Sequence, residues 1–475
     1  MPKTFFFYDL ETSGLSARQD RIMQFAGIRT DMKLNQIGEP INVLVKLNDD
    51  TLPSPEAVMV TGITPQQTLD DGITEAEFAK MLINDIFTSE TIAVGFNNIR
   101  FDDEFTRYLL WRNFYEPYEW SYKDGRSKWD LLDVVRMTRA LRPDGINWPV
   151  DDKGVATNRL ELIANLNGID HIKAHDALSD VDALIAVTKL IRDKQPQLYD
   201  YLLKMRDKKQ VKKLVNLDNK QPFIYVSGRY DAQFNKATIA FPLTAGSNGN
   251  VIVYDLRYDP TPFINIGSKE LEEKLFATWE QRQSDGFVKL PVKQLQYNRA
   301  PAVAPMGVLG QGDGWKKIGL DEATIKKHRE ILLSVSSFAE NIRSIYENRE
   351  QFKKSPDPEA QLYDGFVSDG DKMRIETVRN ASGNELADFH PNFVDERLDP
   401  LLLHYKARNF PKSLSEQEVI IWEKWRTDRI SAALPAFTSS LQKISSTTTD
   451  ENKIFILTEL QLWAESIMPA DLDNQ

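Results

Sequence analysis

The sequence predicts a multidomain α/β protein, because three parts of the 475-residue chain carry different patterns. Strand-like and helix-like segments alternate over residues 1–195, strand-like segments separated by Gly and Asn turns dominate 196–350, and helical periodicity returns over 351–475. A chain of this length exceeds the usual size of a single domain. We therefore expect an α/β domain with a mixed sheet, a small β barrel and a helical C-terminal domain.

The elements of the first part begin with a continuous apolar run, Phe5–Tyr8, which is typical of a strand buried on both faces. Further strands are predicted at Met23–Thr30, Pro40–Leu47 and Ile92–Phe96. Apolar residues at three- and four-residue spacing predict helices at Glu75–Phe87 (capped by Thr74), Asp102–Trp111, Trp129–Leu141, Arg159–Asn167 and Ala177–Asp193.

The other two parts are predicted from the same signals. Strands of the barrel are expected at Phe223–Ser227, Thr238–Leu243 and Val251–Leu256. The polar stretch Lys353–Pro358 indicates a linker or a surface crossing. Helical periodicity follows at Leu398–Tyr405, Glu416–Ser431 and Asn452–Met468.

Composition excludes several classes of protein. No apolar stretch approaches the roughly 18 residues that a bilayer span needs. The N-terminus has no signal-peptide pattern, so we expect a cytoplasmic protein without a membrane partner. The chain has no cysteine, which excludes disulfides, thiolate metal sites and a cysteine nucleophile.

The charge distribution leaves nucleic-acid binding open. The net charge of −11 argues against such a partner, since phosphate binding needs concentrated Lys and Arg. However, the bases at 204, 206, 208, 209, 212 and 213 face a single acid, Asp207, over ten residues. This stretch is either a positive binding face or an ordinary solvated helix face.

Acidic residues stand where strands and helices of the first part meet. Asp9 and Glu11 follow the first strand one residue apart, Asp102 opens a predicted helix after the strand Ile92–Phe96, and Asp180 follows His175 by five residues. Carboxyl ends of strands are where active sites form in α/β sheets. Carboxylates held close together repel unless a cation lies between them, so Mg²⁺ or Mn²⁺ is expected.

This set has the residue types of a hydrolase that uses two metal ions. Asp9, Glu11 and Asp180 would hold the first ion, and Asp9 would bridge to a second ion reached by Asp102. His175 would act as the base, because the ordinary pKa of histidine lies near neutrality, at roughly 6.5. Asp103 is expected to be a solvated acid of the first helical turn.

Several motifs resemble one family. Tyr8–Thr12, Phe101–Glu104 and His175–Asp180 resemble the DEDDh exonuclease superfamily. Nearly the whole chain is similar to the bacterial exodeoxyribonuclease I family, through the segments Thr61–Pro65, Trp129–Asp133, Leu141–Pro149 and Tyr405–Pro411.

The resemblance implies a ribonuclease-H-like exonuclease domain, an SH3-like β barrel and a helical domain that together form a C-shaped clamp on single-stranded DNA. It implies processive 3′ to 5′ release of 5′-mononucleotides in DNA repair and recombination. It further implies two Mg²⁺ ions per site, with Mn²⁺ as a substitute, in a monomer.

Residues that would touch the DNA follow from the same resemblance and from aromatic and basic side chains that interleave, as a stacking groove requires. Core packing is an alternative explanation for most of the interleaved side chains between Arg107 and Arg136, particularly Trp129, and a surface ion pair is an alternative for Arg159. The predicted substrate residues are Arg107, Tyr118, Tyr122, Arg136, Arg159, Lys208, Asn298 and Arg299.

The family also implies a protein partner. Single-stranded DNA-binding protein has an acidic C-terminal tail that ends in an apolar residue. Arg142 and Tyr201 match positions at which a carboxylate and an apolar side chain of such a tail would dock.

Three other functions fit parts of the pattern. An exoribonuclease of the same superfamily would use the same site, because its chemistry does not involve the 2′ position. A catalytically silent single-strand-binding module would keep the fold but lose a carboxylate or the histidine, and none is missing. A metal-dependent phosphatase for small molecules would not need the barrel and helical additions.

Overall fold

The structure is a computed structural model that describes residues 2–169, 176–310, 312–349 and 353–469. Its strands are β1 Thr4–Thr12, β2 Ile22–Thr30, β3 Ile41–Leu44, β4 Thr91–Gly95, β5 Ser127–Asp130, β6 Phe223–Val226, β7 Ala237–Ala245, β8 Val251–Asp255, β9 Val292–Leu295 and β10 Val303–Pro305. The chain divides into two compact units, one made of Met1–Ser127, His171–Asp182 and Lys353–Gln475 and the other of Lys128–Asp170 and Ala183–Phe352.

The helices occupy all three parts of the chain. Those before the barrel strands are α1 Pro55–Thr61, α2 Pro65–Asp71, α3 Glu75–Met81, α4 Asp102–Arg112, α5 Leu131–Leu141, α6 Leu160–Leu166, α7 Ala177–Lys194, α8 Pro196–Met205 and α9 Lys208–Leu214. The remaining ones are α10 Ser268–Phe276, α11 Trp279–Gln283, α12 Gly314–Lys317, α13 Glu322–Ser334, α14 Ser336–Glu347, α15 Asp369–Asn380, α16 Gly383–Ala387, α17 Leu398–Asn409, α18 Glu416–Ser445 and α19 Glu451–Ile467. No helix of the described ranges is long and apolar enough to cross a membrane.

The sheet of the first unit is mixed, as predicted. Its strands lie in the order β3-β2-β1-β4, with β1 antiparallel to β2 and parallel to β4. The register of β1 and β2 places Asp9 opposite Ala26 and Glu11 opposite Gln24. Parallel pairing brings the carboxyl ends of β1 and β4 to one edge, where the segments carrying Glu11 and Asp102 begin.

The C-terminal helices belong to the same unit as this sheet. Met23 of β2 and Ile63 share a buried apolar cluster with Ile430 of α18 and with Trp463 and Ile467 of α19. A second cluster joins Tyr108 and Trp111 of α4 to Leu398, Leu401 and Tyr405 of α17. The predicted helical C-terminal region is therefore confirmed, and its helices complete the core around the mixed sheet.

The second unit contains the predicted barrel. Its strands lie in the order β10-β6-β7-β8-β9 and every neighbouring pair is antiparallel. Strands β6 and β8 consist mostly of apolar residues and are buried along their whole length. Helices α13 and α14, which were not predicted, lie between the barrel and the C-terminal region in sequence.

One local prediction is wrong. Trp129 is predicted in a helix but lies in β5, and α5 begins at Leu131, because the Asp130 carboxylate accepts a hydrogen bond from the Leu132 amide (3.0 Å) and caps the helix.

The stretch Lys353–Pro358 lies at the surface over most of its length, since Lys353, Lys354 and Pro356 are exposed, and its end is fixed to the core. The Pro358 carbonyl accepts a hydrogen bond from the buried indole of Trp111 (3.0 Å), and Glu359 immediately after it is fully buried.

A buried ion-pair network joins the N-terminal and C-terminal parts of the first unit. The Arg21 guanidinium lies 2.7 Å from the Glu359 carboxylate and 3.3 Å from that of Asp50, and Arg408 pairs with both acids. His404 contacts Glu359 through Nδ1 at 2.9 Å. Burial alone would raise the pKa of Glu359, but Arg408 and Arg21 offset it and hold that pKa well below its ordinary value.

We expect Glu359→Gln to lower the free energy of unfolding at pH 7 by about 3 kcal/mol, because it leaves the buried Arg21 and Arg408 to share one acidic partner, Asp50. A carboxylate whose pKa is lowered in the folded state stabilises the protein above its unfolded-state pKa and loses this effect as pH falls. Urea unfolding of variant and wild type at pH 7 and below pH 4.5 should therefore show a deficit that shrinks on acidification.

Glu423→Gln is the matched control, since Glu423 pairs with Arg426 at 3.0 Å and its side chain is 48% exposed. Loss of this surface pair should change stability by less than about 1 kcal/mol. An equal deficit for Glu359→Gln at both pH values would contradict the account.

Candidate active site

The end of β1 presents two carboxylates on one face of the sheet. Asp9 and Glu11 are two residues apart in a strand, so their side chains point to the same side. A register irregularity between Glu11 and Thr12 ends the regular pairing with β2 directly after Glu11. Both side chains are thus held by a strand whose remaining residues are fixed in the core.

The turn after Glu11 is tightly hydrogen-bonded. The Thr12 hydroxyl donates to the Gly14 carbonyl (2.7 Å), and the Ser13 amide donates to the Arg21 carbonyl (2.8 Å). A Cβ on Gly14 would lie 2.5 Å from the carboxylate of Asp20, so a larger residue there would displace that carboxylate. The turn therefore fixes where β1 ends and where Glu11 points.

A third carboxylate joins the pair from α7. One ligand oxygen from each of Asp9, Glu11 and Asp180 lies within 4.8 Å of the other two. Asp180 stands in the first turn of α7, and its amide donates to the Asp176 carbonyl (3.0 Å). The three residues predicted to hold the first metal ion are therefore brought together, although Asp180 is 169 residues from Glu11 in the chain.

The electrostatics of this cluster are unfavourable without a cation. Burial, followed by the charge of Asp180, raises the pKa of Asp9 to about 8. Burial, followed by the charges of Asp9, Asp180 and Asp176, raises the pKa of Glu11 to about 9. Three oxygen donors that resist ionisation together fit a hard divalent cation, which supplies the missing opposite charge.

The two acids at the start of α4 have different surroundings. Asp102 is the first residue of α4, is 4% exposed and is not part of the group of three. The prediction that Asp103 is solvated is wrong, because its side chain is completely buried. It accepts hydrogen bonds from the Tyr8 hydroxyl (2.9 Å) and the Asn98 amide group (3.2 Å), and these polar partners explain its burial.

The predicted base cannot be placed. His175 lies outside the described residues, and its role stays a prediction. Asp176 and α7 follow it directly, so the chain from His175 leads into the helix that carries Asp180.

Three of the predicted substrate residues lie in the first unit. Tyr122 is 63% exposed, as a stacking side chain requires. Arg107 is buried instead, bonded to Glu104 (2.6 Å) and to the Tyr363 hydroxyl (3.3 Å), with its guanidinium 5.8 Å from the centre of the Tyr118 ring. Sequence reasoning missed Tyr363, since its contact with α4 spans more than 250 residues and leaves no local signal.

The other predicted substrate residues lie in the second unit and are mostly exposed. Arg159 pairs with Glu161, and Lys208 opens α9 after the capping residue Asp207. Asn298 and Arg299 are exposed on the turn after β9. Arg136 is half-buried on α5 and pairs with Asp133 (2.7 Å). The cations at 208 and 299 are accessible, as phosphate contact requires.

The two residues predicted to bind a protein partner both contact the same segment of the second unit. The Arg142 guanidinium donates to the Val308 carbonyl (3.3 Å), and the Tyr201 hydroxyl donates to the Val303 carbonyl (3.1 Å). Both side chains are half-buried. Arg142 and Tyr201 are therefore held against a stretch of six residues that includes β10.

The chain is similar to known exonucleases over most of its length. Three domain-family models match in order: Exonuclease over residues 6–188, Exonuclease I SH3-like domain over 206–348 and Exonuclease I C-terminal domain over 356–467. Exodeoxyribonuclease I of Haemophilus influenzae is 40% identical over 443 residues, which is 93% of each chain. That of Escherichia coli is 38% identical over 470 residues, or 98% of each chain.

The chain belongs to the exodeoxyribonuclease I family. The crystal structure of E. coli exonuclease I with a dA16 oligonucleotide superimposes with a TM-score of 0.94 at 37% identity and covers 98% of this chain and 100% of that one. The predicted family, its three-part fold and the class of enzyme, an exonuclease, are confirmed.

The cluster of Asp9, Glu11 and Asp180 leads to a prediction that can be tested without measuring enzyme activity. We expect Asp9→Asn to raise the free energy of unfolding of the metal-free protein at pH 7 by about 1–2 kcal/mol, because an amide never has to ionise, whereas burial and Asp180 make the charged form of Asp9 unfavourable in the folded state. The same variant should lose the stabilisation that Mg²⁺ or Mn²⁺ gives to the wild type. Thermal unfolding with EDTA and with each metal measures both effects.

Asp85→Asn is the control, since Asp85 is an exposed acid of the same unit and lies outside the cluster. Its melting temperature and metal response should equal those of the wild type. An Asp9→Asn variant that is still stabilised by Mn²⁺ as strongly as the wild type would contradict the metal assignment.

Proposed function

We propose that this protein is a single-stranded DNA-specific 3′ to 5′ exonuclease that releases 5′-mononucleotides processively in DNA repair and recombination. The observation that carries the proposal is the cluster of Asp9, Glu11 and Asp180 at the carboxyl end of β1, in a chain of this family. Structures of E. coli exonuclease I with single-stranded oligonucleotides, and of a zinc-bound form with single-stranded DNA, support the substrate class and the need for a divalent metal.

Each residue has a defined task in the proposed hydrolysis. Asp9, Glu11 and Asp180 would hold one Mg²⁺ ion, and Asp9 and Asp102 would hold a second, with Mn²⁺ as a substitute. The ions, when bound, stabilise charge on the attacking and leaving oxygens of the phosphodiester. His175 would accept the proton of the attacking water, whose oxygen would form a bond to phosphorus as the bond between phosphorus and the 3′ oxygen breaks, which leaves a 3′ hydroxyl on the shortened strand and a phosphate on the released 5′-mononucleotide.

The DNA would be held by stacking and by contacts to phosphate. Tyr122 offers an exposed ring on which any base can stack, since every base has a π face. Arg136, Arg159, Lys208 and Arg299 offer charge to phosphates, and Asn298 offers hydrogen bonds. Arg107 and Tyr118 contact each other and would order this surface in addition to touching the strand.

The direct test uses single-stranded DNA labelled at the 3′ or the 5′ end, with Mg²⁺, for the wild type and Asp9→Ala. We expect the wild type to release the 3′ label at once as a mononucleotide, and Asp9→Ala to be slower by at least about 10³-fold, because a metal ligand of the reacting centre is lost. A labelled RNA of the same sequence and an EDTA reaction are run in parallel.

Two results would overturn the proposal in different ways. Digestion of RNA but not of DNA would favour the exoribonuclease of the same superfamily. Binding of both strands without any cleavage would favour a silent single-strand-binding module.

We also propose that Arg142 and Tyr201 dock the acidic C-terminal tail of single-stranded DNA-binding protein. A crystal structure of SSB/Exonuclease I in complex with the inhibitor CFAM supports the partner. The positive Arg142 side chain suits a carboxylate, and the ring of Tyr201 beside β10 suits the terminal apolar residue. The monomeric state and cytoplasmic location stay predictions.

Arg142→Glu should weaken binding of a fluorescent acidic tail peptide by about tenfold or more, because a like charge replaces the counter-ion. Fluorescence anisotropy at low salt measures the dissociation constant. Arg343→Glu is the control, since Arg343 lies on α14 in a surface pair with Glu347 (2.7 Å). Equal binding by wild type and Arg142→Glu would remove Arg142 from the docking site.

A further inference from the structure

A buried polar triad lies directly behind the candidate metal site. Tyr8, Asn98 and Asp103 are each 0% exposed. The Tyr8 hydroxyl donates to Asp103 Oδ1 (2.9 Å), and the Asn98 side-chain amide donates to the same oxygen (3.2 Å). The Asp103 amide in turn donates to the Asn98 carbonyl (2.8 Å). These contacts join β1, the loop after β4 and the start of α4.

The position of the triad in the chain gives it a specific consequence. Tyr8 directly precedes Asp9 on β1, and Asp103 directly follows Asp102 on α4. The hydrogen bond between Tyr8 and Asp103 spans 95 residues of sequence. It therefore couples the backbone position of Asp9, the neighbour of Tyr8, to that of Asp102, the neighbour of Asp103. The proposed mechanism assigns Asp9 and Asp102 to the same second metal ion.

The start of α4 depends on these contacts. No side-chain cap is present at Phe101, which precedes the helix, so the usual hydrogen bond that fixes a helix N-terminus is missing. Gly95 at the end of β4 makes room for the triad, since a Cβ there would lie 2.5 Å from that of Asn98. Without the triad, the first turn of α4 would lose the hydrogen bond that attaches Asp103 to β1.

The hydrogen bonds and enclosure of the triad suit this role. Asp103 accepts from two donors, the Tyr8 hydroxyl and the Asn98 side-chain amide, and all three side chains are enclosed by protein. A buried carboxylate that loses such a donor is left with an unsatisfied acceptor, so the contacts favour one position of Asp103.

We infer that Tyr8 and Asn98 are positioning residues that act through Asp103 to set the place of Asp102 relative to Asp9, and thereby set the affinity for the second metal ion. The inference rests on the proposed function, because that function assigns Asp102 and Asp9 to a shared ion. Neither Tyr8 nor Asp103 touches substrate or metal in this scheme, since both are enclosed by protein.

The test uses Tyr8→Phe in the full-length chain, which removes only the hydroxyl. Isothermal titration with Mn²⁺ should show the weaker of two sites losing about tenfold in affinity while the tighter site is unchanged, the size typical of residues that orient metal ligands. The Mg²⁺ concentration for half-maximal DNA cleavage should rise by a similar factor, with KM for DNA unaltered. A purely structural defect would weaken both sites and KM together.

Tyr254→Phe is the matched control, because Tyr254 is also a fully buried tyrosine on a strand and its hydroxyl has no hydrogen-bond partner among the described residues. It should leave both Mn²⁺ affinities at wild-type values. A second comparison tests the same point should Tyr8→Phe fold poorly. Asp103→Asn keeps an acceptor oxygen for Tyr8 and Asn98 and should retain more second-site affinity than Asp103→Leu, which keeps none.

The outcomes separate the two levels of the argument. A wild type that neither binds Mn²⁺ nor cleaves DNA would overturn the proposed function itself. An active wild type with Tyr8→Phe indistinguishable from Tyr254→Phe would overturn only the positioning role. Equal second-site affinity in Asp103→Asn and Asp103→Leu would do the same.

Discussion

Mutual repulsion among Asp9, Glu11 and Asp180 is the constraint on which the site depends. Burial of the carboxyl groups and, after it, this repulsion raise the pKa of Asp9 to about 8 and that of Glu11 to about 9. Such a cluster persists only if the surrounding structure holds it and a bound cation offsets the repulsion between the carboxylates. Strand β1 holds two of the acids, and the first turn of α7 holds the third.

The rest of the first unit stabilises that arrangement. One apolar cluster packs α18 and α19 against β2. Strand β2 in turn pairs with β1 along its whole length. The buried ion pairs of Arg21 and Arg408 with Asp50 and Glu359 add a polar attachment beside the turn that follows Glu11. The C-terminal helices thus contribute to the active site without supplying a residue to the acidic cluster of the described chain.

Local patterns explain which parts were predictable. The strand Phe5–Tyr8, the acids that follow it and the capping box at Thr74 depend on neighbours within a few residues, so the sequence reveals them. Asp103 was misjudged because its burial depends on Tyr8, a partner 95 residues away. Glu359 was hidden for the same reason, since its arginine partner Arg21 lies 338 residues earlier. Long-range polar contacts leave no periodic signal, and they are the part of the site that only a structure reveals.

The central claim is that the three carboxylates hold a divalent metal ion. Anomalous diffraction from crystals of the full-length protein grown with Mn²⁺ tests it most directly. The account predicts an anomalous peak about 2.0–2.6 Å from oxygens of Asp9, Glu11 and Asp180. The claim would be contradicted if manganese peaks were found only elsewhere on the protein. In that case the three carboxyl groups would be hydrogen-bonded directly to one another.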